Sequence, residues 1–425
     1  MKYNILDFGA IADGKALCTD AIQKAIDKCA ASGGGRVTFP QGKFKSGTLW
    51  LKSGVELHFE MGAELLASDN MSDYNDIDAY EQNFGSTVEG WVGKHLIIAL
   101  EAENVAISGL GTINGNCHAF VNECYDYPEY QKRYAWGDGI SALKDEEAKR
   151  PGQLICFIEC RRVCVTDVTI KNSPCWSCFF LGCEFVGVRG IKVFNPLWMM
   201  NSDGIDIDAS RYVTVSDCII ETGDDAVAIR ACEQRVKNKT MHSEYITVSN
   251  CVFSTQICAF RIGVGTGIIR HVRVSNITVS RCENLVQFCT AYLQNGCANI
   301  EDVNFSNISA DNTSRVVEAF SNNGAYIRNV TMENIRSTSH MTNYIDANDG
   351  TIENFILRNA EIYFYDKYEN FSPELIMQRG VNLLRVKNAT RVALDNVFIH
   401  GGLYKNEETF VNSDCKELII KNCNF

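Results

Sequence analysis

Short runs of aliphatic and β-branched residues alternate with polar ones along most of this chain, and similar runs return many times. Asn104-Val105-Ala106-Ile107-Ser108, Arg162-Val163-Cys164-Val165-Thr166-Asp167 and Tyr212-Val213-Thr214-Val215-Ser216-Asp217-Cys218 are three copies. Tyr245-Ile246-Thr247-Val248-Ser249-Asn250-Cys251 and His271-Val272-Arg273-Val274-Ser275-Asn276-Ile277 are two more. A period of two turns one face of a strand inward and the other to solvent. The first apolar residues of successive copies, Val213, Ile246, Val272, Ile300, Ile327 and Ile352, are separated by 33, 26, 28, 27 and 25 residues. Short strands at that period, with polar corners and no helical pattern between them, predict a solenoid of stacked β coils. The expected fold is all-β, a single-stranded right-handed parallel β-helix forming one domain over residues 1–425. Leucine-rich repeats share the period, but their leucine pattern is absent.

The ends of a solenoid need covering. Residues 20–30 predict a short N-terminal capping helix, because Ala21, Ile22, Ala25, Ile26 and Cys29 fall at helical spacing. Asp20 is placed to cap it, with Gln23 three residues on, and Gly33-Gly34-Gly35 to end it. Two stretches break the rhythm, near 68–95 and 115–153. Both are polar and aromatic, with Trp91, Tyr125, Tyr127, Tyr130, Tyr134 and Trp136. Long loops on a rigid scaffold commonly form binding walls, and aromatic rings suit the faces of sugars.

At 425 residues the chain exceeds what one thick core usually holds, a limit that a lengthening solenoid escapes. Its formal net charge of −12 disfavours nucleic acid and anionic membranes as partners. No run of about 18 apolar residues suggests a membrane span. The 19 cysteines are scattered, and Cys164, Cys218, Cys251 and Cys282 fall inside apolar runs, as small buried hydrophobes do in a reducing compartment. Together with the absence of a signal-like apolar stretch in residues 1–15, this predicts a cytoplasmic protein. Cys175 and Cys178 have the spacing of a redox or zinc pair, but no second pair accompanies them, so packing is the reading and no metal is expected.

The chemistry is concentrated in two acidic motifs. Asn201-Ser202-Asp203-Gly204-Ile205-Asp206 is followed by Gly223-Asp224-Asp225-Ala226, with Asp203 and Asp224 21 residues apart. At about one coil's length, that spacing stacks carboxylates on one surface. Close carboxylates resist joint ionisation, which separates a proton donor from a proton acceptor and suits glycoside hydrolysis. Consecutive strand residues face opposite sides, so Asp224 and Asp225 share a cleft only where the strand bends, and Gly223 suits such a bend. The plainer alternatives are turn-making, the reading given to Asp167 and Asp217, and metal binding.

On these motifs the chain resembles the polygalacturonase-type glycoside hydrolases of family 28. The resemblance begins with Asp7-Phe8-Gly9-Ala10, continues through Val37-Thr38-Phe39-Pro40-Gln41-Gly42 and Ser46-Gly47-Thr48-Leu49-Trp50, and is sharpest at the two acidic motifs. It implies inverting hydrolysis of an α-glycosidic bond without metal or organic cofactor. Asp224 is then the general acid, Asp203 and Asp225 the carboxylates that activate water, and Asn201 an orienting residue. The implied partner is a pectin-derived oligosaccharide, galacturonan or rhamnogalacturonan. Two family motifs are altered. Cys258 stands where a Gly-His-Gly histidine is expected, and Val286-Gln287-Phe288-Cys289 replaces an Arg-Ile-Lys motif that grips the sugar carboxylate. A uronate needs a cation, and Arg230, Arg261, Arg270 and His271 are the nearest, Arg261 foremost. Two other readings remain: a polysaccharide lyase holding Ca²⁺ with Asp203, Asp206, Asp224 and Asp225, and a non-catalytic carbohydrate-binding β-helix.

Overall fold

The computed structural model describes all residues except 87, 125–139, 292–295, 365–381 and 402–407. Tyr125, Tyr127, Tyr130, Tyr134 and Trp136 therefore lie outside the described residues. The strands form a right-handed parallel β-helix. Two compact units divide it, one comprising Met1–Cys124 with Ser141–Asp224, the other containing Asp225–Phe425.

In the first unit three stacks of parallel strands build the coils. One runs through Gly35–Phe39, Val55–Phe59, Glu103–Gly109, Arg161–Thr166, Glu184–Arg189 and Arg211–Ser216. A second runs from Gly42–Ser46 to Ile219–Thr222. The third joins Leu49–Leu51, Ile97–Leu100, Ile155–Ile158, Cys178–Leu181 and Ile205–Asp208. Register places Val37, Leu57, Ile107, Val165, Val188 and Val215 in one continuous inward row, each buried. Such a row removes apolar area from water coil after coil, at about 25 cal/mol per Å².

The cap helix spans Thr19–Ala31 and buries Ile22, Ala25, Ile26 and Cys29. Its N-cap is Cys18, with no side-chain cap, so the expected Asp20 cap does not form. Gln23 does not complete a capping box either; it is sewn to the edge strand, accepting from the Trp50 amide at 2.8 Å and donating to the Trp50 carbonyl at 3.1 Å. Side-chain bonding across to the coil has displaced the local motif.

In the second unit the strands are longer. Long strands at Ser243–Thr255, Ile268–Cys289, Asn299–Ala310, Tyr326–Ser339, Thr351–Phe364 and Arg391–His400 stack in parallel. Beside them stack Val227–Ala231, Cys258–Gly265, Thr313–Phe320, Asn343–Asp346 and Asn382–Lys387. The sequence alignment slips here by one turn of the corner: Val272 pairs with Val303, and Ile300 with Ile269. All of the long strands but Arg391–His400 carry a left-handed residue near the start, such as His271 (φ 56°), Asp302 (φ 52°) or Asn329 (φ 54°). That residue resets the alternation, so two apolar residues three apart both face inward and either fits the repeat. A second left-handed corner holds Asn250, Asn276, Asn307, Asn334, Asn359 and Asn396, each amide after the first donating to the one on the coil before it at 2.9–3.2 Å. Asp167 and Asp217 take the same conformation in the first unit, as turn residues. Among the described residues no helix is long and apolar enough to cross a membrane.

Candidate active site

The first acidic motif sits on a braced turn. Asn195 donates to Ser177 Oγ at 2.8 Å and to the Ser202 carbonyl at 2.9 Å, while its own oxygen accepts from the Ser173 amide at 2.8 Å. Ser202 Oγ donates to the Met199 carbonyl and accepts from the Gly223 amide, at 2.8 and 2.9 Å. Those bonds set the strand carrying Asp203 against the bend that carries Asp224. The bend at Gly223 lies beyond the strand Ile219–Thr222, and a Cβ there would meet the Met199 carbonyl oxygen at 2.2 Å. Only glycine permits the approach.

Asp203 and Asp224 each bring a carboxylate oxygen within 4.8 Å of the other's. Asp203 is buried; Asp224 is half-buried and reaches solvent. Asn201, in the left-handed conformation at φ 50°, donates to Asp224 Oδ2 from its backbone at 3.2 Å and from Nδ2 at 3.4 Å. The predicted residues Asn201, Asp203 and Asp224 are thus brought together. Strand Ile205–Asp208 adds two further buried carboxyls, Asp206 and Asp208.

Asp225 follows in the chain and is buried in the second unit. Arg261 forks it, Nη2 donating to Oδ1 at 3.2 Å and Nε closing on Oδ2, while Nη1 donates to Gln287 Oε1. The backbone amide of Cys258 also donates to Asp225 Oδ1, at 3.2 Å. Gln287 in turn donates to Glu318, and Arg315 stands 3.6 Å from both Glu318 and Glu283. Arg261, foreseen as a clamp for a sugar carboxylate, is instead engaged by a carboxylate of the protein. Burial pushes the Cys258 thiol well above its ordinary range, so the residue in the histidine's place is a packed thiol and not a nucleophile.

The remaining candidates are dispersed. Arg230 is half-buried in Val227–Ala231. Arg270 pairs with Glu244 at 2.7 Å. His271 lies in the other stack from Arg261, bonded to Asp302 at 2.6 Å and stacked on Tyr245 at 4.9 Å, as a corner residue of the coil. Trp91, expected as an exposed sugar platform, is buried against Trp176 and Phe84 with ring centroids 5.8 and 5.3 Å away. A ring the sequence did not single out, Trp198, is half-buried three residues before Asn201 and edge-on to His118 at 5.4 Å. Arg150 was missed too: it is fully buried and bonds Asn201 Oδ1 at 2.8 Å. Cys175 and Cys178 are buried free thiols, and burial raises both. Cys164 is exposed, because Val163 and Val165 take the inward positions of its strand.

Comparison with known proteins defines the class. Residues 29–372 match the model of Glycosyl hydrolases family 28, and the chain belongs to that family. It is 32% identical over 255 residues to an exo-poly-α-D-galacturonosidase of Dickeya chrysanthemi, covering 54% of this chain and 42% of that protein. It is 27% identical over 234 residues to an endo-polygalacturonase of Pectobacterium carotovorum subsp. carotovorum, covering 53% of this chain and 55% of that one. The chain spans about half the length of the curated relatives it matches. Its fold is that of an exopolygalacturonase from Thermotoga maritima, with TM-score 0.70 and 22% identity over 95% of this chain and 93% of that one. The family 28 exopolygalacturonase of Yersinia enterocolitica follows with TM-score 0.63 and 21% identity, over 100% and 78%.

Proposed function

We propose that the chain is a glycoside hydrolase that cleaves α-linked, pectin-derived oligosaccharides, galacturonan or rhamnogalacturonan. The observation that carries this is the pair Asp203 and Asp224, one buried and one reaching solvent, with oxygens within 4.8 Å. Asp224 gives its proton to the glycosidic oxygen as the C1–O bond breaks. Asp203 takes a proton from the water that attacks C1; the same role for Asp225 is what the family resemblance implies. Family membership and the galacturonan-cleaving names of the relatives support the substrate class. The free thiols of the described cysteines support a reducing, cytoplasmic setting, where imported short oligomers are the available substrate.

Inversion is the outcome that the family resemblance implies. The alternative outcome is retention, with Asp203 as a nucleophile in place of a base. The first anomer released, read by proton NMR, separates the two. Asp224→Asn tests the shared core of both readings: it removes general acid catalysis, with an expected loss of about 10²–10⁴ in kcat and no change in fold. Substantial turnover in that variant overturns the assignment. New reducing ends and unsaturated uronate, followed in parallel with and without chelator, separate a hydrolase from a Ca²⁺-dependent lyase.

A further inference from the structure

Arg150 is fully buried on a two-residue strand, Arg150–Pro151, that pairs in parallel with Trp91–Val92. Its guanidinium reaches into the turn before Asp203. Nη2 donates to Asn201 Oδ1 at 2.8 Å and to the Glu89 carbonyl at 2.9 Å. Nη1 donates to the Met200 carbonyl at 3.1 Å and to the Pro174 carbonyl. We propose that Arg150 is a positioning residue for Asp224, acting through Asn201. The proposal rests on the reading of Asp224 as the proton donor.

An amide side chain has two unlike ends, and a guanidinium has donors only. Arg150 therefore fixes the oxygen of Asn201 towards itself, which turns the NH₂ end to Asp224. Nδ2 and the Asn201 backbone amide then converge on one oxygen, Oδ2, at 3.4 and 3.2 Å. An oxygen facing two N–H donors is a poor seat for a proton. Arg150 thereby sets the rotation of the carboxyl and disfavours protonation at Oδ2. Without the guanidinium the amide is free to turn over. Its oxygen would then face Oδ2, repelling the carboxylate or accepting the very proton that the leaving group needs. The second hold, on the Met200 carbonyl, keeps the backbone of Asn201 in its left-handed conformation.

The test compares Arg150→Ala, Asn201→Asp and Asp224→Asn in the full chain, with folding checked by circular dichroism and melting. Misplacement of a reacting group costs on the order of 10²-fold in rate, so Arg150→Ala is expected to lose about that in kcat with KM within about threefold. Millimolar guanidinium is expected to restore part of it, and methylammonium none. Loss of the Nδ2 donor to Oδ2 disfavours the ionised acid, moving the alkaline limb of the kcat profile to higher pH. A residue that merely ties loops together moves neither readout. If Arg150→Ala does not fold, Asn201→Asp decides: it keeps an acceptor for Arg150 and removes the Nδ2 donor, so it is expected to show the same kcat loss. Unchanged kcat in a folded Arg150→Ala or in Asn201→Asp, with Asp224→Asn inactive, overturns the inference alone. Turnover in Asp224→Asn overturns the underlying reading as well.

Discussion

Arg261 holds Asp225 by two arms of its guanidinium and Gln287 by the third. Both members of the ion pair are nearly sealed from solvent, with side-chain exposures of 11% and 1%. Removing one partner of such a pair strands a buried charge, which costs about 3–5 kcal/mol. Arg261→Met is expected to destabilise the protein by that order, and pairing it with Asp225→Asn to recover part of the loss. A double-mutant cycle on urea unfolding measures the coupling. Strictly additive losses would mean that the fork contributes nothing beyond packing.

The same row bears on the proposed substrate. Along one outward ladder Arg261 stands in register with Gln287, and Gln287 with Glu318. Its cation is already matched, Arg261 by Asp225, and so is Arg315, which stands in register with Asn284 beside it, by Glu318 and Glu283. A uronate placed against this row meets an anion, Glu318, and no unengaged guanidinium from these two arginines. Glu318→Gln is expected to lower KM for galacturonate oligomers several-fold at low salt and to leave kcat near its parent value. Raising ionic strength shrinks the difference, since screening shortens the reach of the charge. A salt-independent KM would show that the row does not face the uronate.

Much of this was legible in the chain, for a physical reason. Alternation along the strands and the left-handed corners are properties of consecutive residues, so the coils declare themselves locally. Asp203 and Asp224 were legible because stacking converts a spacing of about one coil into adjacency. What the chain hides is closure between distant segments. Arg150 lies 51 residues before Asn201, and nothing around it marks it as buried. Trp91 looks like a surface ring until the neighbouring Trp176 covers it. The register of Val272 was equally hidden, because Ile300 and Val303 both point inward around Asp302 and only pairing distinguishes them.

Gly223 carries a sharper prediction than its neighbours. Its missing side chain makes room for the Met199 carbonyl, while its amide is held by Ser202. A methyl group there would clash at 2.2 Å with backbone, which has little freedom to move. Gly223→Ala is expected to cost about 1–3 kcal/mol through overpacking. It pushes apart the segments that bear Asn201 and Asp224, so kcat should fall by far more than the melting temperature suggests. A folded Gly223→Ala protein with parental kcat would show that this approach does not set the catalytic geometry.

His95 gives the first unit a pH dependence of its own. The imidazole is buried, and burial holds it down at about 4, against an ordinary value of 6.5. Its Nδ1 donates to the Gln153 carbonyl at 2.8 Å, leaving Nε2 to accept from the Tyr80 hydroxyl at 3.0 Å. The folded state thus favours the neutral ring, and the unfolded chain takes up the proton first. The stabilisation is complete above pH 6.5 and is lost as pH falls towards 4, with no further loss from this group below that. At about 1.36 kcal/mol per pH unit the whole effect is at most about 3 kcal/mol. Asn83 Oδ1, 3.0 Å from Nε2, is ready to accept from a protonated ring and reduces it. Carboxylates titrate in the same range, so the measurement is a difference: unfolding free energies of the parent and His95→Gln from pH 7 to pH 4. The parent is expected to lose more stability than the variant, with the gap opening between pH 6.5 and 4. Parallel curves would show that His95 titrates in the folded protein as it does in the unfolded one.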